Sequence, residues 1–200
     1  MLKTIDARGL ACPMPVVETK KALAEFGEGT LEVLVDNEVS RDNVIKFASS
    51  SGYLVDSQKK LSGYAVNINK QVEMPLNGMD RIFAQQSDTP LAFLIKDQYF
   101  GVGDEELGRI LMRSFLFTLL ESDEPIKTII FMNAGVYLAL NDSEVLDTLR
   151  GIEEKGTEIL SCGTCLDFYQ VKDQLAVGII TNMYTAVEQL IRQGVRTVTI

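Results

Sequence analysis

The chain has 200 residues, 46% of them hydrophobic and 24% charged, which suits one or two domains able to bury a core. Its net charge of −9 argues against a nucleic-acid backbone as partner, because phosphate binding needs clustered Lys and Arg. No apolar run approaches the roughly 20 residues that span a bilayer, and the opening MLKTIDARGL lacks an export signal's plan, which implies a cytoplasmic protein with no membrane partner.

In chain order, residues 2–6 are predicted to form a short strand and residues 13–26 a helix. Residues 31–36 (LEVLVD) alternate like a half-buried strand, and 38–50 have helical spacing in Val39, Val44, Ile45, Phe47 and Ala48. Residues 53–57 and 63–69 read as two strands joined by a polar turn at 58–62. The order β-α-β-α-β-β implies one sheet with both helices on one face, a two-layer α+β sandwich over residues 1–70. Residues 71–90, QVEMPLNGMDRIFAQQSDTP, have no periodicity and read as a linker.

From residue 91 the pattern restarts. LAFLIK at 91–96 is a buried-strand run, and 105–120 an amphipathic helix with Leu107, Ile110, Leu111, Phe115 and Leu119 on its apolar side. Residues 127–132 are predicted as a strand, 143–155 as a helix and 158–161 as a strand. A mixed stretch follows at 171–180, then a helix at 184–193 and a strand at 195–200. Strands alternating with helices imply an α/β domain over 91–200, three layers built on a mostly parallel sheet.

Histidine is absent, which excludes Cys–His and Ser–His–Asp catalysis and any His-ligated metal. Three cysteines cannot build a four-cysteine metal site, and their odd number fits a reducing compartment. No metal or cofactor is implied, so the chemistry falls to the thiols.

Cys12 stands directly before Pro13 in DARGLACPMP, residues 6–15. Proline is favoured in a first helical turn, so Cys12 is expected at a helix start, where unpaired amides and the dipole favour an anion such as a thiolate. A cysteine before a proline is also often a small buried residue. The polar, glycine-containing flank (Asp6, Arg8, Gly9) argues instead for access, and Arg8 offers a nearby positive charge.

DARGLACPMP resembles the signature of the TusA/SirA family, and the element order of residues 1–70 matches that family's fold. The resemblance implies that Cys12, in the CPxP motif, accepts a persulfide sulfur and passes it on. Pro13 and Pro15 match the motif's prolines, with Arg8 and Gly9 as supporting residues.

Cys162-Gly-Thr-Cys165 follows a predicted strand, where open α/β sheets place ligand sites. The spacing allows a disulfide, or one attacking and one resolving thiol, and equally two small buried residues at a strand end. The loops 98–104 and 133–141 are expected to line the same cavity. There Asn133, Gly135 and Tyr137 offer amide and hydroxyl donors to an anionic sulfur, although Tyr99 and Tyr137 serve equally well as packing residues. Gly101-Val-Gly103 lacks the third glycine and lysine of nucleotide loops.

Residues 91–200 resemble the DsrE/DsrF family, small and commonly oligomeric sulfur-relay domains. This resemblance makes Cys162 the closest match to the family's sulfur-accepting cysteine and gives Cys165 no counterpart, so that its reading as a resolving thiol rests on the spacing alone. The two domains in this order resemble the YedF-type proteins, described as sulfurtransferase-like and linked to selenium metabolism. The residues themselves do not distinguish selenium from sulfur.

The resulting reading is a carrier or transferase that relays a persulfide-type group through Cys12 and then Cys162. Its partners are a persulfide donor such as a cysteine desulfurase, an acceptor protein, and further copies of itself in a homo-oligomer. Two alternatives stand beside it: a regulatory scaffold without turnover, and a thiol–disulfide protein using Cys162 and Cys165.

Overall fold

The structure is a computed structural model that describes residues 1–73 and 89–200, the first range by backbone alone at 71–73. The expected linker at 71–90 thus falls almost wholly outside the described residues. The chain divides into two compact units, Met1–Gln86 and Ser87–Ile200.

The first unit runs β1 (Leu2–Asp6), α1 (Met14–Glu25), β2 (Thr30–Val35), α2 (Glu38–Ser50), β3 (Tyr53–Lys60) and β4 (Gly63–Glu73). The sheet order is β1-β2-β4-β3. The helical crossover makes β1 and β2 parallel, and every other pair is antiparallel. On β2, Leu31, Val33 and Val35 are fully buried and meet Val44 and Ala48 of α2 and Ala22, Leu23 and Phe26 at the end of α1. Both helices therefore cover one face, as the element order implied.

The polar run at 58–60 is strand rather than turn, so β3 is longer than its composition suggested. It is an edge strand, where exposed Lys59 and Lys60 discourage pairing with another chain. The turn shrinks to Leu61 and Ser62. Gly63 follows at φ +110, and a Cβ there would lie 2.1 Å from the Val35 carbonyl oxygen.

Lys70 secures the far end of α1. Its Nζ donates to the carbonyl oxygen of Leu23 at 2.6 Å and to that of Phe26, and it places a cation at the negative end of the helix. Lys70→Met is expected to lower stability by about 1 kcal/mol. A urea midpoint equal to wild type would show that this cap contributes nothing.

The second unit contains β5 (Leu91–Ile95), α3 (Glu105–Leu120), β6 (Ile126–Phe131), a 3₁₀ helix (Asn133–Ala139) and α4 (Leu146–Glu154). It continues with β7 (Glu158–Cys162), α5 (Gly163–Phe168), a short 3₁₀ turn (Lys172–Gln174), β8 (Ile179–Thr181), α6 (Met183–Leu190) and β9 (Arg196–Thr199). The sheet order is β8-β7-β6-β5-β9 and all four pairings are parallel. One face carries the main core, where Ile129, Phe131 and Ile159 meet Met112 and Leu116 of α3 and Leu149 and Ile152 of α4. On the other face, Ile130 and Leu160 pack against Ala186 and Leu190 of α6. The domain is three-layered α/β.

Helix α3 is rotated from the expected face. Leu107, Ile110 and Leu111 are 54%, 45% and 42% exposed, while Gly108, Met112 and Leu116 are buried. The helix is apolar nearly all round, so tertiary packing chose the stripe. Gly108 sets it, because a Cβ there would lie 2.9 Å from the Tyr99 side chain. The mixed stretch at 171–180 hides β8, whose three residues are too few to show a period. Among the described residues, no helix is long and apolar enough to cross a membrane.

Candidate functional site

Cys12 is exposed in the loop between β1 and α1. Two clamps shape that loop. Arg8 forks onto Asp6, with Nε 2.8 Å from Oδ1 and Nη2 2.6 Å from Oδ2, and its Nη1 donates to Ser62 Oγ at 3.0 Å. The Gly9 amide donates to Asp36 Oδ2 at 2.9 Å, and Gly9 holds φ +73, where a side chain would be strained. The expected positive charge for Cys12 is thus engaged elsewhere, and Arg8 shapes the loop instead.

Pro13 is the N-cap rather than a helical residue, and the buried Pro15 occupies the first turn. The expectation of unpaired amides at this helix start needs correction. Met14 N–H donates to the Ala11 carbonyl, Val16 and Val17 N–H both donate to that of Pro13, and Pro15 has no N–H. What remains to favour an anion is the dipole of α1.

Hydrogen bonds from Arg8 hold the Asp6 carboxyl well below the usual carboxylate range, at about 2. Because the value is lowered, the clamp contributes above the unfolded carboxylate's range and is lost as pH falls through about 2. An NMR titration is expected to give Asp6 a midpoint near about 2, rising toward about 4 in Arg8→Gln. A wild-type midpoint near about 4 would mean that the fork does not persist in solution.

In the second domain, Cys162 ends β7 and is 4% exposed, while Cys165, on the short helix α5, is partly exposed. The Cys162 side chain is close enough to Cys165 to act on its protonation. The backbone N–H of Asn133, which follows β6, donates to Cys165 Sγ at 3.2 Å. Burial pushes the Cys165 thiol up, the neighbouring Cys162 side chain adds to that, and the Asn133 amide opposes it. Asn133 has φ +48, and its side-chain Oδ1 accepts from Tyr169 Oη at 2.7 Å. The Tyr169 ring lies 5.0 Å from that of Tyr137.

Of the predicted donors, Asn133 meets a thiol through its amide. Gly135 contributes space: a Cβ there would lie 2.4 Å from the Ile95 carbonyl oxygen. The loops after β5 and β6 do line one cavity, through Gln98, Tyr99 and Tyr137, but neither cysteine is among its lining residues. Tyr169 and Asp36 escaped the sequence reading. Tyr169 stands four residues after Cys165, a spacing that puts both on one helical face and could have flagged it. Nothing local marks Asp36 as the acceptor for Gly9.

Fold and site together define a two-domain α/β protein that presents thiols beyond the carboxyl ends of its strands. Residues 3–70 match the family model described as sulfurtransferase TusA, and residues 91–200 match the DsrE/DsrF-like family. The second match spans more than half of the chain, which belongs to the DsrE/DsrF-like family with a TusA-family domain ahead of it. A Methanocaldococcus jannaschii protein described as a candidate sulfur carrier is 46% identical over 55 residues, 27% of this chain and 73% of that protein. The crystal structure of a SirA-like protein from Desulfitobacterium hafniense is 48% identical and covers 35% of this chain and 97% of its own, with a TM-score of 0.33. The ychN protein from E. coli is 12% identical and covers 56% of this chain and 99% of its own, with a TM-score of 0.45.

Proposed function

We propose that this chain carries sulfur as a protein persulfide, loaded on Cys12 and passed to the thiol pair of the second domain. The family memberships support the coarser statement, a role in sulfur transfer. The observation that carries the finer one is Cys12 standing exposed in a loop fixed at Asp6 and Asp36. In the loading step, the Cys12 thiolate attacks the outer sulfur of a donor persulfide. The donor's S–S bond breaks, and its cysteine leaves as a thiolate. The donor is a protein such as a cysteine desulfurase, acting in the reducing cytoplasm where thiols stay free.

The second step uses Cys165 as acceptor. Cys162 is buried at the strand end, whereas Cys165 is partly exposed and faces the Asn133 amide, a donor for an anionic sulfur. This reverses the order assigned from sequence and makes Cys162 the resolving thiol. The closeness of the two thiols favours the dithiol chemistry as an extension of the same relay. Attack of the Cys162 thiolate on the inner sulfur of a Cys165 persulfide forms a disulfide and expels hydrosulfide, which leaves atoms and electrons balanced. Intact mass after treatment with desulfurase and cysteine tests the loading, and a wild-type chain that gains no sulfur would end the proposal.

Homo-oligomer formation belongs to the same proposal. Its support is the exposure of Met183, Tyr184, Val187 and Ile191 on and just after α6. A monomer by light scattering at all concentrations would remove it.

A further inference from the structure

A cavity of about 200 Å³ opens in the second domain beyond the carboxyl ends of β5 and β6. Arg109 and Arg113 line it from one face of α3, four residues apart, and Asp142 and Glu144 line it from the segment before α4. Arg113 Nη1 reaches Glu144 at 3.4 Å and ties the two sides together. Arg109 and Asp142 have no ion-pair partner among the described residues. Arg109 lies over the Tyr99 ring, 5.7 Å from its centroid, and the Tyr99 hydroxyl donates to Glu105, so the guanidinium is oriented without a direct ion pair among the described residues. The Tyr137 hydroxyl, also at the cavity, has no hydrogen-bond partner among the described residues.

From this arrangement we infer that the cavity binds a small zwitterion of the α-amino-acid class, with its carboxylate on Arg109 and its ammonium on Asp142. The charges decide the class. A simple anion would meet Asp142 and Glu144, and a simple cation would meet Arg109 and Arg113. A ligand with both charges satisfies the two unpaired groups at once. Size points the same way, because the volume lies below the roughly 300–1,000 Å³ of pockets for drug-sized ligands. Met112 and Leu138 supply an apolar surface for a short side chain. Neither cysteine lines the site, and the inference does not depend on the persulfide reading.

The test is an NMR titration of the full chain with L-methionine and L-alanine. L-Methionine amide and N-acetyl-L-methionine, each lacking one charge, serve as controls. Saturable shifts at the amides of Tyr99, Tyr137 and Val145 are expected below about 10 mM for at least one amino acid. Each one-charge analogue is expected to bind at least about tenfold more weakly. Arg109→Gln and Asp142→Asn are each expected to cost about tenfold, and since both residues are exposed the variants should fold normally. A chain with Cys12→Ser and Cys162→Ser should bind as wild type does. No saturable shift with either amino acid up to about 50 mM overturns the inference. So does equal binding by the N-acetyl compound, or loss of binding in the double serine chain.

Discussion

Cys12→Ser is expected to abolish sulfur loading without disturbing the fold. At neutral pH a serine hydroxyl with no adjacent base is a poor nucleophile, and the chain has no histidine to activate it. The loading rate should therefore fall by at least about a thousandfold. Cys12 is exposed, so the unfolding free energy should change by less than about 0.5 kcal/mol. Intact mass spectrometry after incubation with a cysteine desulfurase and L-cysteine reads the first quantity, and urea unfolding reads the second. A sulfur adduct that survives on Cys12→Ser would move the entry point to the second domain. No adduct on wild type, together with equal partner binding by wild type and Cys12→Ser, would establish the scaffold reading.

Gly9→Ala probes the loop rather than the thiol. Open space surrounds the position, so the substitution acts only through the positive φ that Gly9 holds, at a cost of about 1 kcal/mol. Loading should slow several-fold while the adduct still forms. That outcome would separate a shaped loop from a merely exposed cysteine.

The elements that announced themselves in the sequence are those whose ends carry local chemistry. Helices α2 and α3 begin where Asn37 and Asp104 accept from the amides of Ser40 and Leu107, and their expected bounds match the observed ones. Elements set by tertiary context did not announce themselves. Strand β8 is three residues long and exists because β7 pairs with it, bringing Thr181 opposite Cys162. The buried face of α3 was hidden because leucine and isoleucine surround the helix, and only the close approach of Gly108 to Tyr99 distinguishes it. At the candidate site, the sequence showed that two thiols are three residues apart but not which one is accessible. That depends on the covering of the β7 end, where Gly163 lies against Ile180 of β8 and Leu166 is fully buried. The Asn133 amide reaches Cys165 from 32 residues away because β6 and β7 are neighbours, a relation that local pattern does not carry.

Cys162→Ala is expected to change two readouts in opposite directions. The Cys165 thiol is raised first by burial and next by the neighbouring Cys162 side chain, with the Asn133 amide opposing both. A raised thiol is mostly protonated at neutral pH, so alkylation of Cys165 should accelerate as pH rises through its elevated range. Removing Cys162 deletes one of the raising interactions. The midpoint for alkylation should then move down, and Cys165 should react faster at a given pH below it. The same substitution removes the resolving thiol, so single-turnover release of hydrosulfide from the loaded protein should fall at least about a hundredfold while the persulfide accumulates on Cys165. The stability cost is about 1 kcal/mol, that of emptying a small buried site. Cys165→Ala should lose both the alkylation and the release. Hydrosulfide release unchanged in Cys162→Ala would show that the buried cysteine only packs, and that another thiol discharges the Cys165 persulfide.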